Sequence, residues 1–141
     1  MSSRFADERV SIDGAPLPPN GMYSKVVGVE DEEIQANLRR IKDSGESDLT
    51  LLPFNKNGHQ GVVVRSTDSE LHVGFLPTTT DKVQRLGEGV CKLQLRNLDI
   101  RAKVVMLIGS SPLGMNIYLY DNEGTFIRRA IDEILRISDG W

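Results

Sequence analysis

Cysteine is almost missing from this chain: Cys91 is the single one among 141 residues, so no internal disulfide can form. With only His59 and His72 beside it, the usual zinc-ligand sets cannot be assembled. Long apolar runs are missing too. The longest, residues 104–108, is far short of the roughly 20 residues that a membrane span requires. A surplus of positive charge is also lacking, with 17 basic against 20 acidic residues and a net charge of −3, so a surface that is basic throughout is excluded and only local patches remain. Phosphate-cradling loops are absent as well. No Gly-x-x-x-x-Gly-Lys occurs, and Gly87-Glu88-Gly89 has neither a third glycine nor a preceding strand. The first twenty residues mix Arg4, Asp7, Glu8, Arg9 and Asp13 without an apolar stretch, which leads us to expect no secretory leader and a cytoplasmic location.

What is present suits one domain with one core, since hydrophobic types make up 39% of the residues. Residues 1–21, with Pro16, Pro18, Pro19 and Gly14 among charges, are expected to form a flexible arm. Residues 23–29 are β-branched and read as a strand. The acids Glu30, Asp31, Glu32 and Glu33 then precede Ile34, Leu38 and Ile41 at helical spacing, with Arg39, Arg40 and Lys42 before Gly45. Acid first and base last complements the helix dipole. A strand over residues 48–53 should give way to a loop at 55–61, where turn formers crowd. Residues 61–66 and 70–75 read as a hairpin, followed by a short helix from Pro77, capped by Thr78 and stopped at Gly87. Cys91, Leu93 and Leu95 alternate with polar residues like a strand, but from Leu98 the apolar set moves to even numbers. The parity change predicts a bulge or turn near Asn97. A turn at 109–112, a strand over 115–120 and an amphipathic helix from Phe126 through Ile137, capped by Asn122 or Thr125, complete the pattern. The sum is an α+β, mainly-β fold: a small modified barrel of the OB or SH3 kind with six or seven strands, two short helices and a C-terminal helix.

Little in this sequence points to catalysis. His59 has no Ser, Cys or carboxylate at a recognisable spacing to act with. His72 reads as a structural histidine and Cys91 as a small buried hydrophobe. A non-enzymatic protein without cofactor or metal is therefore expected.

Three segments nevertheless carry a family pattern: Tyr23-Ser24-Lys25-Val26-Val27-Gly28-Val29 ahead of a helix, then Asn55, Gln60, Gly61, Val62 and Val64, then Val73-Gly74-Phe75-Leu76-Pro77. Together they resemble the HIRAN domain over residues 22–120, leaving residues 121–141 as a helix that packs on the domain or on a partner. The resemblance implies an OB-related barrel that binds single-stranded DNA or DNA ends in the context of DNA repair, alone or beside a helicase or nuclease. At positions where DNA-end binders of the family carry basic and aromatic groups, this chain has Glu30 and Asp31, Asn57 and Gly58, and Thr78.

The expected nucleic-acid site combines Asn55, Lys56, Asn57, His59 and Gln60 with Lys25 and Phe75: amides and imidazole for base edges, lysines for phosphate, a ring for stacking. A second patch of Lys92, Arg96, Arg101 and Lys103 is expected if the change near Asn97 sets them on one outer face. Residues 76–106 hold six basic and three acidic groups, whereas residues 24–50 hold four and seven. Four such phosphate contacts give a log–log salt slope of roughly −3 on single strands. The alternative is an accessory protein-interaction module that keeps the fold without the DNA-end site, with homo-oligomerisation through the terminal helix as one outlet and no membrane partner.

Overall fold

Asp31 begins the first long element of the chain. Its side chain accepts hydrogen bonds from the backbone of Glu33 (2.9 Å) and Ile34 (3.2 Å), supplying acceptors that the opening turn of a helix lacks. The helix, α1 (Glu32–Ser44), buries Ile34, Leu38 and Ile41 and ends where Gly45, at φ 72°, returns its N–H to the Ile41 carbonyl. In the computed structural model, which describes residues 10–77 and 85–140, it is accompanied by β1 (Met22–Lys25), β2 (Asp48–Lys56), β3 (His59–Ser66), β4 (His72–Phe75), α2 (Leu86–Leu95), β5 (Arg101–Ile108), β6 (Gly114–Tyr120) and α3 (Ile127–Ser138). No helix among the described residues is long and apolar enough to cross a membrane.

All strand pairs are antiparallel, in the order β1-β6-β5-β2-β3-β4. This is the α+β, mainly-β class that the sequence leads to. The sheet does not close through a continuous ladder, but it curls until its two edges touch. Val27, just beyond β1, exchanges backbone hydrogen bonds of 2.8 and 2.9 Å with Phe75 at the end of β4. Gly74 permits that meeting: its φ is +138°, and a Cβ there would lie 2.3 Å from Val26 Cγ1.

One apolar cluster fills the concave side, with Val62, Val64, Val73, Val104, Ile117 and Leu119 excluded from solvent. The polar groups of α1 that face it are satisfied. Gln35 donates to the Val29 and Leu113 carbonyls (2.6 and 2.9 Å) and accepts from Leu113 N–H (2.8 Å), while Asn37 donates to the His72 carbonyl (2.8 Å).

Several parts of the chain differ from the sequence expectation. The loop expected at 55–61 is a two-residue turn, Asn57-Gly58 at φ 54° and 82°, so β2 and β3 run right up to it. Positive φ at both central residues matches the right-handed strand twist, and Asn-Gly supplies it cheaply. The strand expected through Cys91 and Leu95 is instead helix α2, which carries Leu86, Val90, Cys91 and Leu93 inward. Gly87 falls inside its first turn rather than stopping it, and Gly89 lets α3 approach, since a Cβ there would sit 2.6 Å from Ile131 Cγ2. The helix expected to open at Thr78 lies outside the described residues, along with Asp81 and Val83.

The parity change near Asn97 is then the end of a helix: Asn97 turns at φ 70° and Leu98 N–H bonds the Leu93 carbonyl. A bulge does occur, further on, between Val104 and Met106. Helix α3 has Phe126 at its N-cap with no side-chain cap, so neither Asn122 nor Thr125 plays that part. Buried Asp121 instead accepts from Glu123 and Thr125 N–H and holds the approach to the helix.

Residues 10–21, expected to be an arm, make defined contacts. Ile12 N–H bonds the Val104 carbonyl (2.8 Å), the Tyr118 hydroxyl donates to the Pro18 carbonyl (2.6 Å), and Gly21 N–H donates to that hydroxyl (2.9 Å). Asn20 fixes the other end by donating to the Gly124 carbonyl and accepting from Ile127 N–H.

Candidate functional site

Antiparallel pairing decides which of the expected site residues share a face, because directly opposed residues project to the same side and neighbours alternate. Lys56 pairs with His59, Phe54 with Gly61, Leu52 with Val63 and Val63 with Phe75, all on the convex side of β2–β3–β4. Asn55 pairs with Gln60 on the opposite side. The seven expected residues thus divide: Lys56, His59 and Phe75 share one side, Asn57 forms the turn itself, and Asn55 and Gln60 turn away. Lys25 stands on β1, exposed, opposite Asn116 of β6.

Phe54 is the residue this reading of the sequence lacked. Its ring lies over Gly61, where a Cβ would come within 2.6 Å of Phe54 Cζ, and meets the Phe75 ring edge-on at 6.3 Å between centroids. His72 adds an edge-on contact to Phe75 at 5.1 Å. Once Asn57-Gly58 is read as a tight hairpin turn, the alternation Leu52, Phe54, Lys56 places Phe54 beside the lysine. The turn dipeptide was the signal for it. The result is a half-buried aromatic pair rimmed by Lys56 and His59, and neither Lys56 nor Lys25 forms an ion pair with any described residue.

The second expected patch does not assemble. Lys92 lies on α2, 3.9 Å from Glu88, and Arg96 is at the exposed C-cap of that helix. Arg101 and Lys103 do share the outer face of β5, but Arg101 binds Asp99 (3.0 Å) and Lys103 binds Asp48 (2.6 Å). The Asp48 carboxylate holds the Lys103 ammonium above its ordinary pKa. Three of these four cations therefore have a carboxylate at hand, which offsets much of their attraction for phosphate.

A cleft of about 410 Å³ opens where β2 parts from β5, lined by Thr50, Thr67, Gln94, Arg101, Lys103 and Tyr120 among others. The strands pair only at Asp48–Lys103 and Leu49–Ala102, and Gln94 spans the gap beyond by donating to the Leu51 and Ile100 carbonyls, both at 3.2 Å. Cys91, one turn earlier on α2, donates to the Phe54 carbonyl, and burial pushes its thiol pKa up, so the thiolate needed for reactivity is disfavoured. Among the described residues no group of three or more His, Cys, Asp and Glu side chains is placed to hold a metal ion.

The acids that follow the first strand have a local role. Asp31 caps α1, and Glu30 stands exposed beside it. Comparison with protein-family models, curated proteins and solved structures gives no match for this chain.

Proposed function

We propose that this chain is a HIRAN-like, non-catalytic module that binds single-stranded DNA or DNA ends weakly through the convex face of β2–β3–β4. The observation that carries the reading is the juxtaposition of Phe54 and Phe75, 6.3 Å apart, with Lys56 and His59 on one face. Aromatic rings stack on any unpaired base, at about 1–3 kcal/mol per base, and a neighbouring lysine holds the phosphate that joins two of them. The rings are half-buried, and of the two permanent cations that register sets on that face among the described residues Arg65 stands 3.9 Å from Glu70, which leaves Lys56 without an ion pair to a described residue, so the affinity is weak. DNA repair beside a helicase or nuclease is the setting that the family resemblance implies.

The test is fluorescence anisotropy of a labelled oligothymidylate at low salt with the wild-type chain, Lys56→Ala with His59→Ala, and Asn55→Ala. The double substitution lowers affinity and Asn55→Ala, on the other side of the strand, changes it little. Equal binding by all three proteins excludes this face. A second reading, the accessory protein-interaction module, is favoured by one specific observation: Lys92, Arg101 and Lys103 each stand beside a carboxylate, an arrangement that does not select a polyanion. Absence of any oligonucleotide binding at low salt favours that reading.

A further inference from the structure

Three tyrosines stand side by side on the outer face of β1 and β6. Tyr23 pairs with Tyr118 across β1–β6, with ring centroids 4.9 Å apart, and Tyr118 and Tyr120 stack at 6.5 Å with their planes 23° apart. Lys103 and Arg101 of β5 pair with Tyr118 and Tyr120 in register, so two cations flank the rings on the same face, each beside a carboxylate, Asp48 and Asp99, that a phosphate would have to displace. Side-by-side rings with flanking cations are what single-stranded nucleic acid uses, base on ring and phosphate on cation. Yet Tyr118 and Tyr120 are each only 7% exposed.

Residues 10–21 lie against this face at Tyr118 and along β5 near Lys103. They touch it through the two bonds of the Tyr118 hydroxyl and through Gly21, where a Cβ would lie 2.5 Å from the Tyr118 ring and 2.2 Å from the Leu119 carbonyl oxygen. Ile12 N–H on the Val104 carbonyl and a turn built on Asp13 complete the attachment. The Asp13 carboxylate accepts from Ser11 Oγ and Ala15 N–H, and it lies near enough to Lys103 for each to favour the other's charged form. Ser11 is the one buried residue of the segment, and of the segment's apolar side chains Ile12 packs, partly buried, against the core. Segments attached by a few hydrogen bonds and little buried area open at low cost.

We propose that the tyrosine face of β1–β6–β5 is a second surface for single-stranded nucleic acid, occupied in cis by residues 10–21, which bind there in competition with the strand. Asp13 stands where a phosphate would meet Lys103. This surface shares with the β2–β3–β4 face only the class of ligand, and its test is separable from that reading.

The test uses the full chain. Ile12→Pro removes the N–H that bonds Val104, and Asp13→Arg removes the turn-holding carboxylate and places a like charge near Lys103. Each is titrated with labelled oligothymidylate at low salt, and hydrogen exchange at the Gly21 amide reports opening of the segment. Opening the segment raises the population of the binding-competent state, so affinity rises about tenfold with a steeper salt dependence, and Tyr120→Leu added to either variant reverses the gain. Faster exchange at Gly21 without tighter binding overturns the inference, as does a gain that survives Tyr120→Leu. Loss of wild-type binding in Lys56→Ala with His59→Ala, without any gain on opening, leaves the hairpin reading standing and removes this one. Gain on opening together with an inert Lys56→Ala with His59→Ala does the reverse. If Ile12→Pro lowers the melting temperature of the whole domain, Asp13→Arg alone decides.

Discussion

Gly61 shows how one residue can fix a face. The φ of Gly61 is unremarkable, and it is glycine because the Phe54 ring occupies the place of a side chain, 2.6 Å from where a Cβ would stand. Gly61→Val therefore displaces the ring, at a cost of about 1–3 kcal/mol, read as a lowered urea midpoint. The same substitution weakens oligonucleotide binding if the ring pair is the stacking site. Asp121 is the second residue of this kind. Burial of its carboxyl raises the pKa, but hydrogen bonds from Thr125 and from the Glu123 and Gly124 backbone outweigh that and leave it below its usual value. A carboxyl with a depressed folded pKa stabilises the fold above its unfolded pKa, and that contribution is lost as pH falls through the folded value. Asp121→Asn keeps an acceptor without the titration. The wild-type chain is thus expected to lose more stability than Asp121→Asn between pH 7 and pH 3, measured by urea denaturation at each pH.

Among the elements, α1 explains why the acids after the first strand resist a purely functional account. Asp31 accepts two backbone N–H groups, so Asp31→Ala costs about 1 kcal/mol, within 0.5–2, whereas Asp31→Asn retains most of the cap. Both are checked by denaturant midpoints. Glu30 has no part in the cap and can be reversed to Arg without that penalty, so Glu30→Arg is the clean probe of whether charge here opposes a bound strand; tighter oligonucleotide binding at unchanged stability is the expected outcome. Helix α2 occupies a different structural niche. It seals the edge that β2 exposes after leaving β5, with Gln94 bridging the Leu51 and Ile100 carbonyls. Gln94→Leu leaves those buried acceptors without that donor and destabilises by about 1–3 kcal/mol, again read in the urea midpoint.

At the scale of the whole molecule, a net charge of −3 is combined with an acidic neighbour at three of the four cations of the second expected patch, Lys92, Arg101 and Lys103. Lys25 and Lys56 are the lysines with exposed side chains and no ion pair to a described residue among the expected site positions. A strand held by two phosphate contacts gives a log–log salt slope of roughly −1.4, from about −0.7 per contact, instead of the −3 that four contacts give. Titrations across a salt series check this. A wild-type slope near −3 shows that Arg101 and Lys103 leave their carboxylates on binding.

The sequence by itself determined the elements whose signals are local and redundant. Ile34, Leu38 and Ile41 between an acidic start and Gly45 could only suit a helix, and alternation through Met115, Ile117 and Leu119 could only suit a strand. It also determined the α+β class, and it marked three residues of the proposed face, Lys56, His59 and Phe75, though not that they share one side of the sheet. Tertiary structure decided what short windows leave degenerate. Residues 86–95 carry an apolar pattern that satisfies both periods, and the gap between β2 and β5 together with the apolar side of α3 selects the helix. Only pairing register separated Lys56 and His59 from Asn55 and Gln60, and only folding brought Phe54 to Phe75 across β3. Likewise, the composition of residues 10–21 is too polar and proline-rich to hold itself in place. Its position is set by acceptors and donors on Val104, Tyr118 and Gly124 that lie up to 104 residues away in the chain. No local pattern encodes partners so distant, because they become neighbours only once the sheet has formed.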